Sequence, residues 1–217
     1  MAGIVIRSYE PRDRAAVRHI CCETADAGKP VEGFFHDREL IADLITRYYT
    51  DFEPQHSWVA TRDEQVVGYL NGSLDGRRAM RVTLWRIVPA IVIGALCRGT
   101  FCHRETWRLI WASLHTWWAR GGLHCGGTAG IGAPHLHVNL VPEARGAQVG
   151  TRLVERFIEQ VNASGGRMVE ASVRSDNVAA CHFFEQFGFA EVARQKLVLP
   201  KPMGYQVTGT VTYAKRW

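Results

Sequence analysis

Residues 145–151, Arg-Gly-Ala-Gln-Val-Gly-Thr, form a loop of small residues that runs without a break into a helical pattern. Val149, Leu153, Val154, Phe157, Ile158 and Val161 mark one apolar stripe of that helix. A helix start reached through such a loop points consecutive backbone N–H groups at one spot, where the helix adds about half a positive charge. The chemistry this suits is anion binding, phosphate above all. Arg145, Arg152 and Arg156 add positive charge nearby. Just upstream, the alternation of a strand over residues 135–141 puts His135, His137, Asn139 and Val141 on one face and Leu136, Val138 and Leu140 on the other. The paired imidazoles are either groups that move protons or a hydrogen-bonded polar patch. Zinc ligation is a third option, which the cysteine spacing does not support.

The surrounding pattern supplies elements to hold these residues. A short strand at the N-terminus leads into a helix carrying Val17, Ile20 and Cys21, and a second helical pattern places Leu40, Ile41, Leu44, Ile45 and Tyr48 on one face. Two apolar runs around residues 62–65 read as a hairpin, giving strands two and three. Residues 79–124 form a Trp-rich insertion in which Trp107, Ile110, Trp111, Leu114 and Trp118 recur at helical spacing. Its Trp face is expected either to pack on the main domain or to wall a substrate pocket, and residues 121–134 to be a flexible loop that ends it. After the loop-to-helix junction come a strand, a helix with Asp176 as expected N-cap and Gly188 just past its end, and two terminal strands. The expectation is an α/β protein of α+β type, one domain over residues 1–217: a mixed, mostly antiparallel sheet flanked by helices, with the helical insertion between strands 3 and 4.

Composition narrows the function classes. A chain of 217 residues with 47% apolar content can bury a sizeable core. The net charge of +5 suits an anionic ligand, but no Lys/Arg run interleaved with aromatics suggests a nucleic-acid site. Six cysteines without a C-x-x-C pair read as reduced thiols in a cytoplasm. Charges within the first residues argue against a secretory signal. The apolar run at residues 82–97 is shorter than the ~20 residues of a spanning helix and contains Arg86 and Pro89, so it reads as buried or interfacial and no membrane partner is expected.

Two segments together resemble the GNAT superfamily of N-acetyltransferases. The family's pyrophosphate loop, R/Q-x-x-G-x-G/A, stands here as residues 145–150, with Gln148 in place of the middle glycine. Residues 177–189, NVAACHFFEQFGF, are similar to the family's N-x-x-A-x-x-[FL]-Y-E-x-x-G-F segment, matching at Asn177, Ala180, Phe183, Glu185, Gly188 and Phe189. A further likeness, at residues 29–35 and 134–143, is to the bacterial subgroup similar to the acetyltransferase-like domain of O-GlcNAcase. The resemblance implies acetyl-CoA, or another acyl-CoA, donating its acyl group to an amine acceptor by direct attack, from a monomer or homodimer. It carries the pantetheine contacts to Asn139, Leu140 and Val141, the pyrophosphate contacts to Arg145, Gly146, Ala147, Gln148, Val149, Gly150 and Thr151, and a further cofactor contact to Asn177.

An amine with pKa ~10.4 is neutral in about one molecule in 2,500 at pH 7, a handicap of roughly 4.6 kcal/mol. A base or an already neutral amine is required. His135, where some family members carry glutamate, and His137 are the base candidates, directly or through a water. Phe184 stands in the cofactor segment where the family most often has the tyrosine that protonates the departing thiolate. Cys181, one helical turn earlier, is the nearest side-chain substitute, with a bound water or direct return of the amine's own proton as the alternatives. The competing reading is a catalytically weak CoA-binding module used for regulation or scaffolding.

Overall fold

The computed structural model describes residues 3–119, 132–201 and 204–217. Seven strands form one sheet: β1 (Val5–Ser8), β2 (Ser57–Arg62), β3 (Gln65–Ser73), β4 (His135–Leu140), β5 (Met168–Arg174), β6 (Ala190–Lys201) and β7 (Gly204–Arg216). Their order is β1-β2-β3-β4-β5-β7-β6. Every pairing is antiparallel except β4 with β5, so the sheet is mixed and mostly antiparallel. The β2–β3 hairpin closes on Asp63 and Glu64, both with positive φ (49° and 63°), a turn whose twist matches that of the strands.

Pleat alternation gives the sheet two apolar faces. On one, Val59 and Tyr69 pack with Val17, Ile20 and Cys21 of α1 (Arg14–Thr24). Beside α1 lies α2 (Arg38–Phe52), which buries Ile41, Tyr48 and Tyr49 but leaves Leu44, expected on its inner face, 48% exposed. On the other, Leu70, Leu136 and Val169 pack with Leu153, Val154 and Phe157 of α6 (Val149–Ala163) and with Phe184 of α7 (Val178–Gln186). Gly72 decides how closely α6 can lie. A Cβ there would come within 2.3 Å of the Phe157 ring, so the missing side chain lets that ring settle on the strand. At the start of α7, Asn177 Oδ1 accepts from Ala180 N–H at 3.2 Å and is the cap. Asp176, expected in that role, instead accepts from the Arg174 guanidinium at 2.6 and 2.9 Å, because an ion pair outcompetes a single amide contact.

The insertion between β3 and β4 is helical: α3 (Gly76–Val82), a π-turn (Thr83–Ile87), α4 (Val88–Cys97) and α5 (Arg104–Ala119). The run Gly76–Cys97 is one helix of 22 residues, long and apolar enough by length and composition to cross a membrane. The length argument made from residues 82–97 therefore fails, because the helix begins at Gly76, six residues before that run. Ala79, Ile87 and Ile91 nevertheless pack on Tyr48 and Tyr49 of α2, which fixes one side of this helix to the domain. The loop expected at 121–134 falls outside the described residues except for 132–134.

Candidate active site

The parallel pairing of β4 with β5 is confined to two positions, His135↔Glu170 and Leu136↔Ala171. Val141 N–H donates to Val67 O at 3.0 Å, across the β3 side. By antiparallel alternation, residues 137 and 139 also turn their backbone groups to β3, and Val138 and Leu140 turn theirs toward β5. Beyond Leu136 the two strands are no longer paired, so these backbone groups face a cleft of about 400 Å³. Val138, Asn139 and Leu140 line one wall and Ala180, Phe183 and Phe184 the other; Asn177, Thr24 and Gly28 complete it.

The start of α6 opens into the same cleft. Arg152 N–H donates to Gln148 O at 3.0 Å, the first bond of the helix, so the amides of Val149, Gly150 and Thr151 have no intrahelical partner. All three residues line the cleft, with Arg145, Gly146 and Gln148. Gly146 has φ +78°, and nothing lies within 4 Å of where its Cβ would stand. Gln148, at the N-cap, has φ +55°. The Arg145 guanidinium donates through Nε and Nη2 to Leu140 O, each at 3.3 Å, and so spans the fork. Asn177 spends Oδ1 on capping α7, which leaves its NH₂ group for a ligand. Two expected cofactor contacts lie elsewhere. Val141 is outside the cleft lining with its amide committed to β3, and Ala147 is an exposed residue of the loop outside that lining.

His135 and His137 stand on the sheet face toward α2. His135 Nδ1–H donates to Ala133 O at 3.2 Å, and the Tyr49 hydroxyl donates to His135 Nε2 at 3.0 Å. His137 makes no hydrogen bond among the described residues and packs edge-on to Tyr49, with ring centroids 5.4 Å apart. Burial, then the neighbouring His135, pushes the His137 imidazole down to about 4, and burial also lowers His135. Across the sheet His137 faces Asn71, and Asn71 faces Ser57. Asn71 Oδ1 and Nδ2, Ser57 Oγ and Glu53 Oε2 are buried without partners among the described residues, polar atoms of the kind that hold ordered water.

Residues 103–189 match the model of the Acetyltransferase (GNAT) family. SsHAT, of known structure, is 25% identical over 99% of this chain and 98% of its own, with a TM-score of 0.73. Two further structures share the fold. Drosophila melanogaster polyamine N-acetyltransferase, which catalyses formation of N-acetylagmatine, is 14% identical with a TM-score of 0.61, covering 99% of this chain and 100% of its own. YncA from Salmonella typhimurium, structured with its cofactor acetyl-CoA, is 16% identical with a TM-score of 0.57, covering 98% and 93%. Over residues 103–189 and in its fold, the chain is similar to GNAT acetyltransferases.

Helix α7 departs from the expected chemistry at one residue. Cys181 is not among the cleft-lining residues: its thiol donates to Arg174 O at 3.7 Å, on the side of α7 toward β5. It is therefore not brought to where a thiolate would leave. Phe184 does line the cleft, its ring only 4% exposed and stacked on Tyr213 at 6.1 Å. Sequence reasoning missed Tyr49, Asn71 and Glu53. The β2–β3 hairpin sets Asn71 only opposite Ser57, while its place beside His137 depends on the β3–β4 register across the insertion; Glu53 reaches the site only because α2 ends there.

Proposed function

We propose that this acetyltransferase acetylates a primary amine by direct attack on the acyl group of acetyl-CoA, with the donor held in the fork between β4 and β5 and His137 taking the amine's proton. One observation carries the proposal: the backbone groups of Val138 and Leu140 and the free amides of Val149, Gly150 and Thr151 open into the same cleft. The residues fit the cofactor. The open space at Gly146 and the positive φ of Gln148 leave room for a pyrophosphate against the α6 amides, with Arg145 at hand. Val138 and Leu140 offer amides to the pantetheine arm, and Asn177 its NH₂ group. The cofactor supplies an acyl thioester, which a neutral amine can attack.

His137 is neutral at pH 7 and has no protein partner among the described residues, so it can accept a proton. With its value near 4 against ~10.4 for an alkylammonium, stripping the ammonium directly would be uphill by about 9 kcal/mol. His137 therefore takes the proton that becomes acidic as the C–N bond forms, and the acceptor arrives neutral. Asn71, Ser57 and Glu53 then offer an exit path through bound water. A cytoplasmic setting is part of the proposal, supported by the unpaired thiols of Cys21, Cys22, Cys97, Cys102 and Cys181.

The test is turnover of acetyl-CoA against a panel of polyamines, amino sugars, aminoglycosides and peptide amines, with the product read by mass spectrometry. An acetylated amine formed in step with free CoA supports the proposal. CoA binding without acetylation of any amine on the panel overturns it in favour of a non-transferring CoA module.

A further inference from the structure

Helix α5 is inside out. Its buried positions are Thr106, Ala112 and Thr116, and Thr116 Oγ1 accepts from Val198 N–H of β6 at 2.9 Å. Leu109 packs on the cluster around Phe35, but the larger apolar side chains face outward: Trp107, Trp111, Leu114, Trp117 and Trp118 are 48–80% exposed. The expected packing of the Trp face on the main domain is thus reversed but for Trp111, and no Trp side chain lines the cofactor cleft. The preceding helix behaves likewise. Ile87, Ile91 and Ala95 point inward, while Leu84, Trp85, Ile93 and Leu96 are each more than half exposed. Trp111 also meets Tyr205 of β7, with ring centroids 5.5 Å apart, which extends the apolar surface onto the terminal hairpin. An exposed apolar surface of this extent marks a docking face.

Charge selects the occupant. Residues 76–118 carry seven arginines, all exposed, against one acidic residue, Glu105, and Glu105 is already bound to His36. Arg77, Arg78, Arg81 and Arg104 have no ion-pair partner among the described residues. A second copy docked by two-fold symmetry would set arginines against arginines. Helices presenting Trp and long aliphatic side chains among arginines match the interface of a negatively charged bilayer, where the rings sit at headgroup level and the guanidiniums meet phosphate. We propose that the outer faces of α4 and α5 bind an anionic phospholipid surface, holding the enzyme on the membrane without crossing it. This departs from the membrane-free expectation drawn from composition, because the exposure of the apolar stripes is a tertiary property.

The experiment is flotation of the full chain with vesicles of phosphatidylcholine alone or of equal parts phosphatidylcholine and phosphatidylglycerol, with Trp emission recorded alongside. Binding to the anionic vesicles with a blue shift, about ten-fold weaker on neutral vesicles and weakened by salt, is the expected result. The combined variant Trp85→Ser, Trp107→Ser, Trp118→Ser should lose vesicle binding while keeping CoA affinity, which also reports its folding. Arg77→Gln, Arg78→Gln, Arg81→Gln, confined to exposed guanidiniums, should reduce binding independently. Absence of wild-type binding to anionic vesicles overturns the proposal, as does undiminished binding by both variants. A wild-type dimer in sedimentation that the Trp variant abolishes would overturn it too, assigning the face to a second copy.

Discussion

The Tyr49 hydroxyl donates to His135 Nε2 at 3.0 Å while His135 Nδ1–H is held by Ala133 O. Both nitrogens of His135 are thereby occupied, and His137 is the imidazole left to accept a proton. His137→Gln should lower kcat by about 10²-fold with little change in the KM for acetyl-CoA. Tyr49→Phe and His135→Gln should each cost less than about ten-fold. Steady-state kinetics with the acceptor from the amine panel checks the order. A larger kcat loss in His135→Gln than in His137→Gln would move the base to His135.

His137 also links stability to pH. Folded, it binds a proton only near pH 4; unfolded, near 6.5, so between those values the unfolded chain holds more protons. Stability therefore rises with pH through this window, and His135, shifted the same way, adds to the slope. The His137 contribution is at most about 3 kcal/mol. Carboxylates held low by ion pairs, such as Asp26 and Asp13, act below this window. Denaturant unfolding at pH 7.5 and 5 should show a loss of stability on acidification that His137→Gln diminishes. An unchanged loss in that variant would contradict the burial of a neutral imidazole there.

Gln148 holds φ +55° at the N-cap of α6, where the family loop has glycine. A side chain in left-handed backbone is strained, so Gln148→Gly should stabilise the chain by about 0.5–1 kcal/mol, net of the greater freedom of glycine when unfolded. Thermal unfolding of the two proteins measures it. A lower Tm for the glycine variant would show that the Gln148 side chain makes a compensating contact.

Phe184 lines the cleft without a proton to give, and Cys181 is turned away from it. Phe184→Tyr adds one hydroxyl at that wall and should raise kcat, with general acid catalysis setting a ceiling of about 10²–10⁴-fold, and leave CoA affinity nearly unchanged. An unchanged kcat would mean another donor already protonates the thiolate.

Strand and helix patterns were legible because residues 149–161 bury one apolar stripe and Leu136, Val138 and Leu140 alternate onto the same core, so period alone fixes which side chains meet it. The anion loop was legible because its function rests on backbone amides, which a sequence of small residues before a helix announces. Which amides face the fork was not: it depends on the hydrogen-bonding parity of β4 against β3, visible only once Val141 is seen paired with Val67. Cys181 and Phe184 lie three positions apart, yet only Phe184 reaches the cleft, since the spread of one helical turn is enough to separate a core wall from a strand-facing thiol. The Trp stripe of α5 misled most, because amphipathic spacing predicts a sided helix without saying that the apolar side faces inward.

The central claim, that the fork and the α6 N-terminus form a CoA site anchored by its phosphates, is tested most directly by calorimetry comparing CoA with pantetheine. A Kd in roughly the micromolar range for CoA and at least about ten-fold weaker binding of pantetheine is predicted, because the free amides of Val149, Gly150 and Thr151 serve the pyrophosphate alone. Gly150→Glu, which sets a carboxylate among those amides, should remove CoA binding. Equal affinity for CoA and pantetheine, or undiminished CoA binding by a folded Gly150→Glu variant, would contradict the assignment.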